Sequence, residues 1–530
     1  MKLASRARAL AVMALTAAIV IGCSGPGPDG SPTPRPPREV TITVLDRTNQ
    51  EPVPNAALRV GGAVAITGAD GTATLTTVGG ASAAVTADGF DDGTGTVPDD
   101  GGLTISLRPN VVSGAVTGGD GKPIPGVRVF VEGAAQPAVT DAQGRYLLPD
   151  VPEEGTLIYK MPGYRLGVIP IDAQMTKDVA LTPFVARALY APSAIFEGTG
   201  RLDALLDLID RTEVNAMVID VKETAGNLYW ATDLPAATAV GAVMEQPLFE
   251  LDELLPQLKE RGIYTIARMV VMKDNTLGKA RPDLAVTNAA TGEPWRDYRG
   301  GIWLDPYNTG VAEYIAALAG DLADKGFDEV QLDYVRFFSD GDYATADTNL
   351  PNTQSFRLPA IRRLFRLVSD ALLTKRAFFS ADVFPISFIA TDDQGIGQRP
   401  EVIMPYVDYF SPMVYPSHYG PYTFGFANPN DHPYEVIDET LKIMNEERAG
   451  LRMVIRPWIQ DFGFGPFPPY SADQILQEMQ ALTDNGAQGW MIWNASARFT
   501  ESALAPPSEG GEDSAPITSP LSSPLPSPGS

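Results

Sequence analysis

Between residues 185 and 501, apolar strand-like runs alternate with segments of helical period, and this alternation limits the possible folds most. The runs at 188–190, 216–220, 264–272, 329–337, 378–384, 407–415, 453–459 and 489–493 read as strands. Helical periodicity covers 201–211, 251–261, 312–325, 359–373, 435–446 and 472–484. Eight strands with helices between them favour a closed (β/α)8 TIM barrel over an open doubly wound sheet. An open sheet that bound a nucleotide would carry a Gly-rich phosphate turn after its first strand, and none is present. All six tryptophans and both histidines, His418 and His432, fall in this stretch.

Upstream, from 39 to 183, the pattern changes to short runs of period two, such as 40–44 and 127–131, separated by Asp-Gly turns at 70–71 and 120–121. That is the pattern of β-sandwiches. The stretch also repeats itself. EPVPNA at 51–56 aligns with KPIPGV at 122–127, and Thr67 to Gly71 aligns with Thr140 to Gly144. Two tandem all-β modules follow, 39–108 and 109–183. The second, with GKPIPGVRVFVEG and TDAQGRYLLPDVPEEG, resembles the carboxypeptidase regulatory-like domain. The resemblance implies a small sandwich that serves as a spacer or adhesive module without catalytic residues. Residues 39–183 are therefore expected to be dispensable for turnover.

The N-terminus begins with Lys2, Arg6 and Arg8, followed by an apolar run from Ala9 to Ile21 that is short for a membrane span. It ends Val20-Ile21-Gly22-Cys23, which resembles a bacterial lipobox, and Cys23 is the chain's single cysteine. The resemblance implies a signal peptide over 1–22, lipidation at Cys23 and a bacterial cell-surface protein anchored in the membrane. Residues 23–38 read as a Pro/Gly-rich tether and 502–530 as a disordered Pro/Ser-rich tail. One cysteine excludes an internal disulfide. Two histidines exclude a three-histidine metal centre. A net charge of −25 repels phosphate backbones, so nucleic acid is not an expected partner. No cofactor or metal is called for, and a monomer is expected.

In such a barrel, reacting groups sit at the C-terminal ends of strands. Alternation places Gln331 with Asp333 on one face of the fourth strand, and Ser380 with Asp382 on one face of the fifth. Neighbouring strands lie roughly 4.8 Å apart, which suits two carboxyl groups flanking a glycosidic bond. Arg268 and Arg336 are expected beside Asp333. Asp382 has no arginine in its own strand, so it is expected to stay protonated. Asp220 and Glu223 after the second strand, and Glu401 before the sixth, are alternative acids. Lys222 and Arg336 are candidates for orienting hydroxyls or an acidic sugar. Trp458, Trp490 and Trp493 at strand ends suit stacking on pyranose rings. Tyr415, His418 and Asn494 complete the candidate substrate contacts. A divalent cation held by Asp220, Asp333 and Asp382 is a third possibility without a supporting loop motif.

QLDYVRF (331–337), SADVF (380–384), SPMVYPSHY (411–419), RPWIQDF (456–462) and GWMIWNA (489–495) together resemble an uncharacterised bacterial family of glycoside hydrolases related to alpha-amylase type barrels. The resemblance spans 188–497. It implies a nucleophile on strand four, an acid/base on strand five and a stabilising Asp on strand seven, where Asp333, Asp382 and Asp461 stand. Two positions depart from the larger family: Asp382 replaces a Glu, and Gln331 replaces an Arg two residues before the nucleophile. The expected function is hydrolysis of a polysaccharide or oligosaccharide by two carboxylates, with retention of configuration. The alternative is a glycan-binding barrel without turnover.

Overall fold

The computed structural model describes residues 36–506 apart from 199, 449, 466 and 468. The expected signal segment, Cys23 and residues 507–530 of the expected tail lie outside the described residues. No described helix is long and apolar enough to cross a membrane.

The first compact unit is the module up to Arg108. Its strands are β1 (Arg38–Asp46), β2 (Ala57–Val60), β3 (Ala63–Ile66), β4 (Thr72–Thr77), β5 (Ser82–Thr86), β6 (Gly93–Thr96) and β7 (Leu103–Leu107). They form two sheets, β4-β1-β7 and β3-β2-β5-β6. Period-two alternation sends Val40, Ile42 and Val44 of β1 inward against Leu58, Val60, Val85 and Ile105.

The second unit begins at Pro109. Its first part has strands β8 (Val112–Gly118), β9 (Arg128–Val131), β10 (Ala138–Val139), β11 (Arg145–Leu148), β12 (Thr156–Lys160), β13 (Gly167–Pro170) and β14 (Val179–Leu181). The sheets, β11-β8-β14 and β10-β9-β12-β13, repeat the order of the first module strand for strand. The repeat extends to single atoms. Thr67 Oγ1 donates to Val53 O at 2.7 Å and accepts from Ala56 N at 2.8 Å. Thr140 Oγ1 does the same with Ile124 O at 2.7 Å and Val127 N at 2.9 Å. Gly71 and Gly144 both take positive φ, and a Cβ at either would lie within 2.6 Å of a carbonyl oxygen, that of Val44 or Val116.

The remainder is the barrel. Among the described residues its strands are one (Arg187–Ala191), two (Ala216–Lys222), three (Tyr264–Val270), four (Glu329–Asp333), five (Phe378–Val383), six (Tyr409–Pro412), seven (Val454–Ile455 with Trp458–Gln460) and eight (Trp490–Trp493). Every neighbouring pair is parallel, and strand one pairs with strand eight. Strand seven is interrupted at Arg456–Pro457, because proline has no N–H for the ladder. Its first half pairs with strand six and its second half with strand eight, so the ring closes through this one broken strand. Strand four stops earlier than its apolar run suggests. Tyr334 adopts a left-handed φ of 56°, which ends the extended backbone at Asp333.

Helices Arg201–Asp210, Leu251–Glu260, Thr309–Lys325, Gln354–Leu372, Pro433–Glu447 and Ala472–Asp484 cover the outside. Between strands five and six lie the short helices Ile386–Ile389 and Pro400–Ile403 and the 3-10 helix Met404–Tyr406, in a stretch where no helical period is visible. Alternation along the strands separates two cores. Leu189, Met217, Ala267, Val330, Leu332, Phe379 and Ile492 face the helices. Ala188, Val218, Ile266, Phe378, Trp458 and Met491 fill the interior. The inward phase also carries polar groups, including Glu329 paired with Arg456 near the base and Gln331 near Ser411 at mid-height.

The second sandwich is no spacer. A spacer would meet the barrel only through its linker, yet this module is keyed into the barrel at many points. Lys160 at the end of β12 is completely buried, and its Nζ donates to the carbonyls of Leu372 (3.3 Å), Lys375 (3.2 Å) and Ala377, capping the C-terminus of helix Gln354–Leu372. Arg128 pairs with Asp408, which lies 3.8 Å from Lys160. Gly163 N donates to Tyr409 Oη at 3.0 Å, and Arg452 donates to Gly126 O at 2.6 Å. Burial pushes the Lys160 ammonium down to about 7. Burial works against the Asp408 carboxylate too, but Arg128 and Lys160 outweigh it and hold that carboxyl below its usual range.

Candidate active site

The C-terminal mouth of the barrel holds a cavity of about 490 Å³. Asp333 and Asp382 both line it. Their strands are in register one residue earlier, at Leu332 and Ala381, so the two carboxyls project from neighbouring positions. Arg268, at the inward phase of strand three, stands between the acids. Its Nη1 pairs with Asp220, its Nη2 pairs with Asp333, and its Nε lies 3.6 Å from an oxygen of Asp382. Three carboxyl groups thus share one guanidinium.

The two cavity acids differ in surroundings. Asp333 has an ion pair with Arg268 and accepts the Tyr334 amide at 2.5 Å. Asp382 is 1% exposed and accepts Trp458 Nε1 at 2.7 Å. Burial, reinforced by the neighbouring Asp333 charge, pushes the Asp382 carboxyl well above the usual carboxylate range. The Trp458 hydrogen bond and Arg268 oppose this without cancelling it. Asp382 therefore does meet an arginine, contributed by another strand, and is raised all the same. Asp220 sits behind Arg268, hydrogen-bonded to Tyr190, and burial raises it to about 6.

Aromatic rings enclose these groups. Tyr190 stacks on Trp493 at 3.9 Å between centroids, and Trp493 meets Trp458 edge-on at 5.5 Å. Tyr334, turned by its left-handed backbone, lines the cavity. That conformation costs a bulky residue about 1–2 kcal/mol, and such strain gathers at functional sites. Phe384, Ile386, Ile389 and Met413 give the opposite wall an apolar character. Tyr415 and His418 also line the cavity. His418 Nδ1 lies 3.0 Å from Ser417 Oγ, and burial lowers its pKa, which favours the neutral ring.

Other predicted site residues stand elsewhere. Arg336 lines the cavity but does not pair with Asp333. It lies over Trp303 (4.8 Å), Tyr334 (5.1 Å) and Phe384 (5.3 Å), and its Nη2 is 3.7 Å from Asp340. Asp461 follows the end of strand seven, and its carboxylate accepts Thr500 N at 2.7 Å and Thr500 Oγ1 at 2.8 Å, tying down the chain after strand eight. The Asn494 amide donates to the carbonyls of Asp461 and Arg498. Lys222 pairs with Asp274 at 2.8 Å and donates to Val270 O. Glu223 accepts Ser193 Oγ at 2.7 Å, and Glu401 is exposed beside Arg399. Trp490 packs in the core facing the helices. None of Asp461, Asn494, Lys222, Glu223, Glu401 or Trp490 lines the cavity. Sequence reasoning passed over Tyr190 and the Trp458–Asp382 hydrogen bond. Tyr190 carried a usable signal, an aromatic at the inward phase of a strand end.

Several known proteins are similar. A hypothetical protein from Ruminiclostridium thermocellum is 31% identical, covering 37% of this chain and 97% of that one, with a TM-score of 0.33. The glycoside hydrolase domain of PgaB (BpsB) from Bordetella bronchiseptica is 15% identical over 59% of this chain and 95% of its own, with a TM-score of 0.44. The alpha-galactosidase TtGalA from Thermus thermophilus is 15% identical over 70% of this chain and 78% of its own, with a TM-score of 0.38. A TonB-dependent receptor, P39, of Formosa agariphila is 40% identical over 70 residues, and the match spans only 7% of that protein's length. Residues 111–183 match the carboxypeptidase regulatory-like domain. Residues 188–499, more than half of the chain, match the family described as "Putative glycosyl hydrolase domain", and the chain belongs to that family.

Proposed function

We propose that the barrel hydrolyses glycosidic bonds of an extracellular saccharide with retention of configuration, using Asp333 as nucleophile and Asp382 as acid/base. The observation that carries this reading is the pair of adjacent strand-end carboxyls in opposed environments. Both are buried, but Asp333 is in direct contact with Arg268 and the Tyr334 amide, whereas Asp382 meets Arg268 only at 3.6 Å and is pushed well above the usual carboxylate range by burial and the Asp333 charge. Acid and nucleophile assignments follow such a separation. Asp333 and Asp382 each stand one residue past a paired position of neighbouring strands, and a strand spacing of roughly 4.8 Å is near the roughly 5–5.5 Å carboxyl separation of retaining enzymes, which supports retention.

The steps follow from this geometry. Asp382 gives its proton to the glycosidic oxygen as the bond to the anomeric carbon breaks. Asp333 Oδ attacks that carbon and forms a glycosyl ester, and the aglycone leaves as the alcohol. Arg268 holds Asp333 in line. A water then enters, Asp382 takes its proton, and the resulting hydroxyl displaces Asp333. The saccharide is released and both carboxyls return to their starting states. The aromatic enclosure limits solvent around the acid and offers faces to a pyranose ring.

A panel of 4-nitrophenyl and 2-fluoro-2-deoxy glycosyl fluoride substrates tests this. We expect a covalent glycosyl adduct on Asp333, located by mass spectrometry. Asp382→Asn should retain most turnover of substrates with good leaving groups, since these need little proton donation. An adduct on another residue, or none with any reactive sugar, would sink the assignment.

The chain is also proposed to be anchored in a membrane by lipid on Cys23, on the strength of the lipobox-like residues before the only cysteine. Fatty-acid labelling should follow the wild type and vanish in Cys23→Ser. Equal labelling of both would refute it.

A further inference from the structure

Exposed large aromatic side chains are not spread evenly over the barrel. Among the described residues they are Tyr298, Tyr343, Phe356, Tyr422 and Phe464. Four of them lie in the segments that connect the C-terminal end of a strand to the next outer helix, and Phe356 lies in the first turn of helix Gln354–Leu372. Exposed aromatics concentrated on one face mark a binding surface.

Four of them fall into two groups by their place in the strand order, each group next to residues that line the cavity. Tyr298, 80% exposed, lies between strands three and four. It stands on a loop pinned by Asp297, whose carboxylate accepts Arg299 N and Gly301 N (both 2.9 Å) and Trp303 Nε1 (3.0 Å). Tyr343 follows strand four, stacks on Phe338 at 5.7 Å, and is within electrostatic reach of both Tyr298 and the cavity residue Arg336. On the other side, Tyr422 follows strand six, is 74% exposed, and sits between the cavity residues Gly420 and Thr423. Its φ is 67° and that of Phe424 is 53°, so two bulky residues in one short loop take a left-handed backbone. Hydrogen bonds from Tyr422 N to Phe426 O (2.7 Å) and from Gly425 N to Tyr422 O (3.0 Å) hold the loop in this form. Strain of this kind persists only where the surroundings impose it, and it collects at ligand sites. Phe464 follows strand seven and packs against the cavity residue His418 at 4.5 Å.

The carboxylates of strands four and five stand between these two groups in the order of strands around the ring. We infer that the cleft is built for a chain of sugars: Tyr298 and Tyr343 on one side of the carboxylates, and Tyr422 and Phe464 on the other, are stacking platforms for successive pyranose units, and the barrel cuts inside a polysaccharide rather than at its end. This rests on the hydrolase reading above. The rings offer flat, rigid apolar faces at low entropic cost, matching the C–H faces of pyranoses. An enzyme for one terminal sugar has no use for platforms on both sides of the scissile bond.

The test uses the full chain with laminarin, glycol chitin, carboxymethylcellulose, galactomannan and soluble starch. Size-exclusion chromatography should show the mean length of the polymer that is cut falling before any monosaccharide appears. In the double variant Tyr298→Ala/Tyr422→Ala, the ratio of kcat/KM on that polymer to kcat/KM on the 4-nitrophenyl glycoside of the same sugar should drop about tenfold or more. Leu476→Ala, an exposed residue on helix Ala472–Asp484, should leave the ratio unchanged. Monosaccharide as the first product from an unshortened polymer, or equal loss on both substrates, overturns the inference while leaving the hydrolase reading intact. If nothing is cut, that reading fails, and native electrophoresis in gels containing each polysaccharide decides the platforms separately. Retardation of the wild type that the double variant loses supports them, and no retardation in any gel overturns them.

Discussion

The two ends of the barrel both bury clusters of charge, and they balance them in opposite ways. At the base, Asp408 is one carboxylate set against two cations, Arg128 and Lys160, and the second cation is further satisfied by three backbone carbonyls, one at a helix end and two in the loop after it. At the mouth, three carboxyls compete for Arg268. The base cluster joins two parts of the chain. The mouth cluster opens onto a cavity and leaves Asp382 raised above the carboxylate range. Buried charge that is fully partnered acts as a structural key, whereas an excess of one sign beside a cavity is the arrangement of an active site.

Deletion should break this comparison most severely. Removing residues 109–183 exposes the base of the barrel and leaves Asp408 without cations, so we expect an insoluble or unfolded product. Removing 39–108 takes away a unit with its own core and should leave the melting transition and turnover of the remainder intact. A soluble, active barrel starting at 185 would refute the keyed role of the second module.

The next largest effect belongs to the mouth. Asp333→Asn should lower turnover of any substrate the wild type cleaves by roughly 10⁴-fold. The melting temperature should hold or rise, because one of the three buried carboxyls competing for Arg268 is gone. A melt that drops by several degrees would make Asp333 a structural partner of Arg268.

A smaller effect is expected from Lys160. Its folded pKa is about 7, below the roughly 10.4 of an unfolded lysine. Between those values the unfolded chain binds more protons, so stability rises with pH across that window, by up to about 1.4 kcal/mol per pH unit from this group. Below pH 7 both states carry the proton and the penalty of burying the charge is complete. Chemical denaturation at pH 7, 8 and 9 should show this slope in the wild type and a flatter one in Lys160→Met. Identical slopes would mean that the ammonium is not buried as described.

The smallest is a shift in the pH profile. Trp458 Nε1 stabilises the charged form of Asp382, so Trp458→Phe should raise that pKa further. Turnover that needs a protonated acid is lost as pH rises through this pKa. The alkaline limb should therefore move up by about one pH unit, and a downward move would contradict the assignment.

Much of this was legible from residues alone, and what was not follows one rule. Alternation is reliable while backbone stays extended, so the inward phase shared by Gln331 with Asp333 and by Ser380 with Asp382 could be read directly. Past a strand's last residue it has no authority. Asp461 and Asn494 follow strands seven and eight, and their side chains serve the connecting segment around Thr500 and Arg498. Lys222 ends strand two at a register shift and turns to Asp274. Arg336 lies beyond the left-handed Tyr334, which swings it onto a set of rings and away from Asp333.

The sequence by itself determined the repeat and the barrel, because period two, helical period and turn glycines are local properties that each segment carries alone. The near-identical use of Thr67 with Gly71 and Thr140 with Gly144 is written in the chain in this sense. Only the tertiary structure decided that one copy of the repeat is keyed to the barrel through Lys160, and that Arg268 from strand three, not a neighbour in sequence, serves the carboxyls of strands two, four and five. Charge pairing depends on distance in space and on exclusion of water, and neither exists until the strands close into a ring.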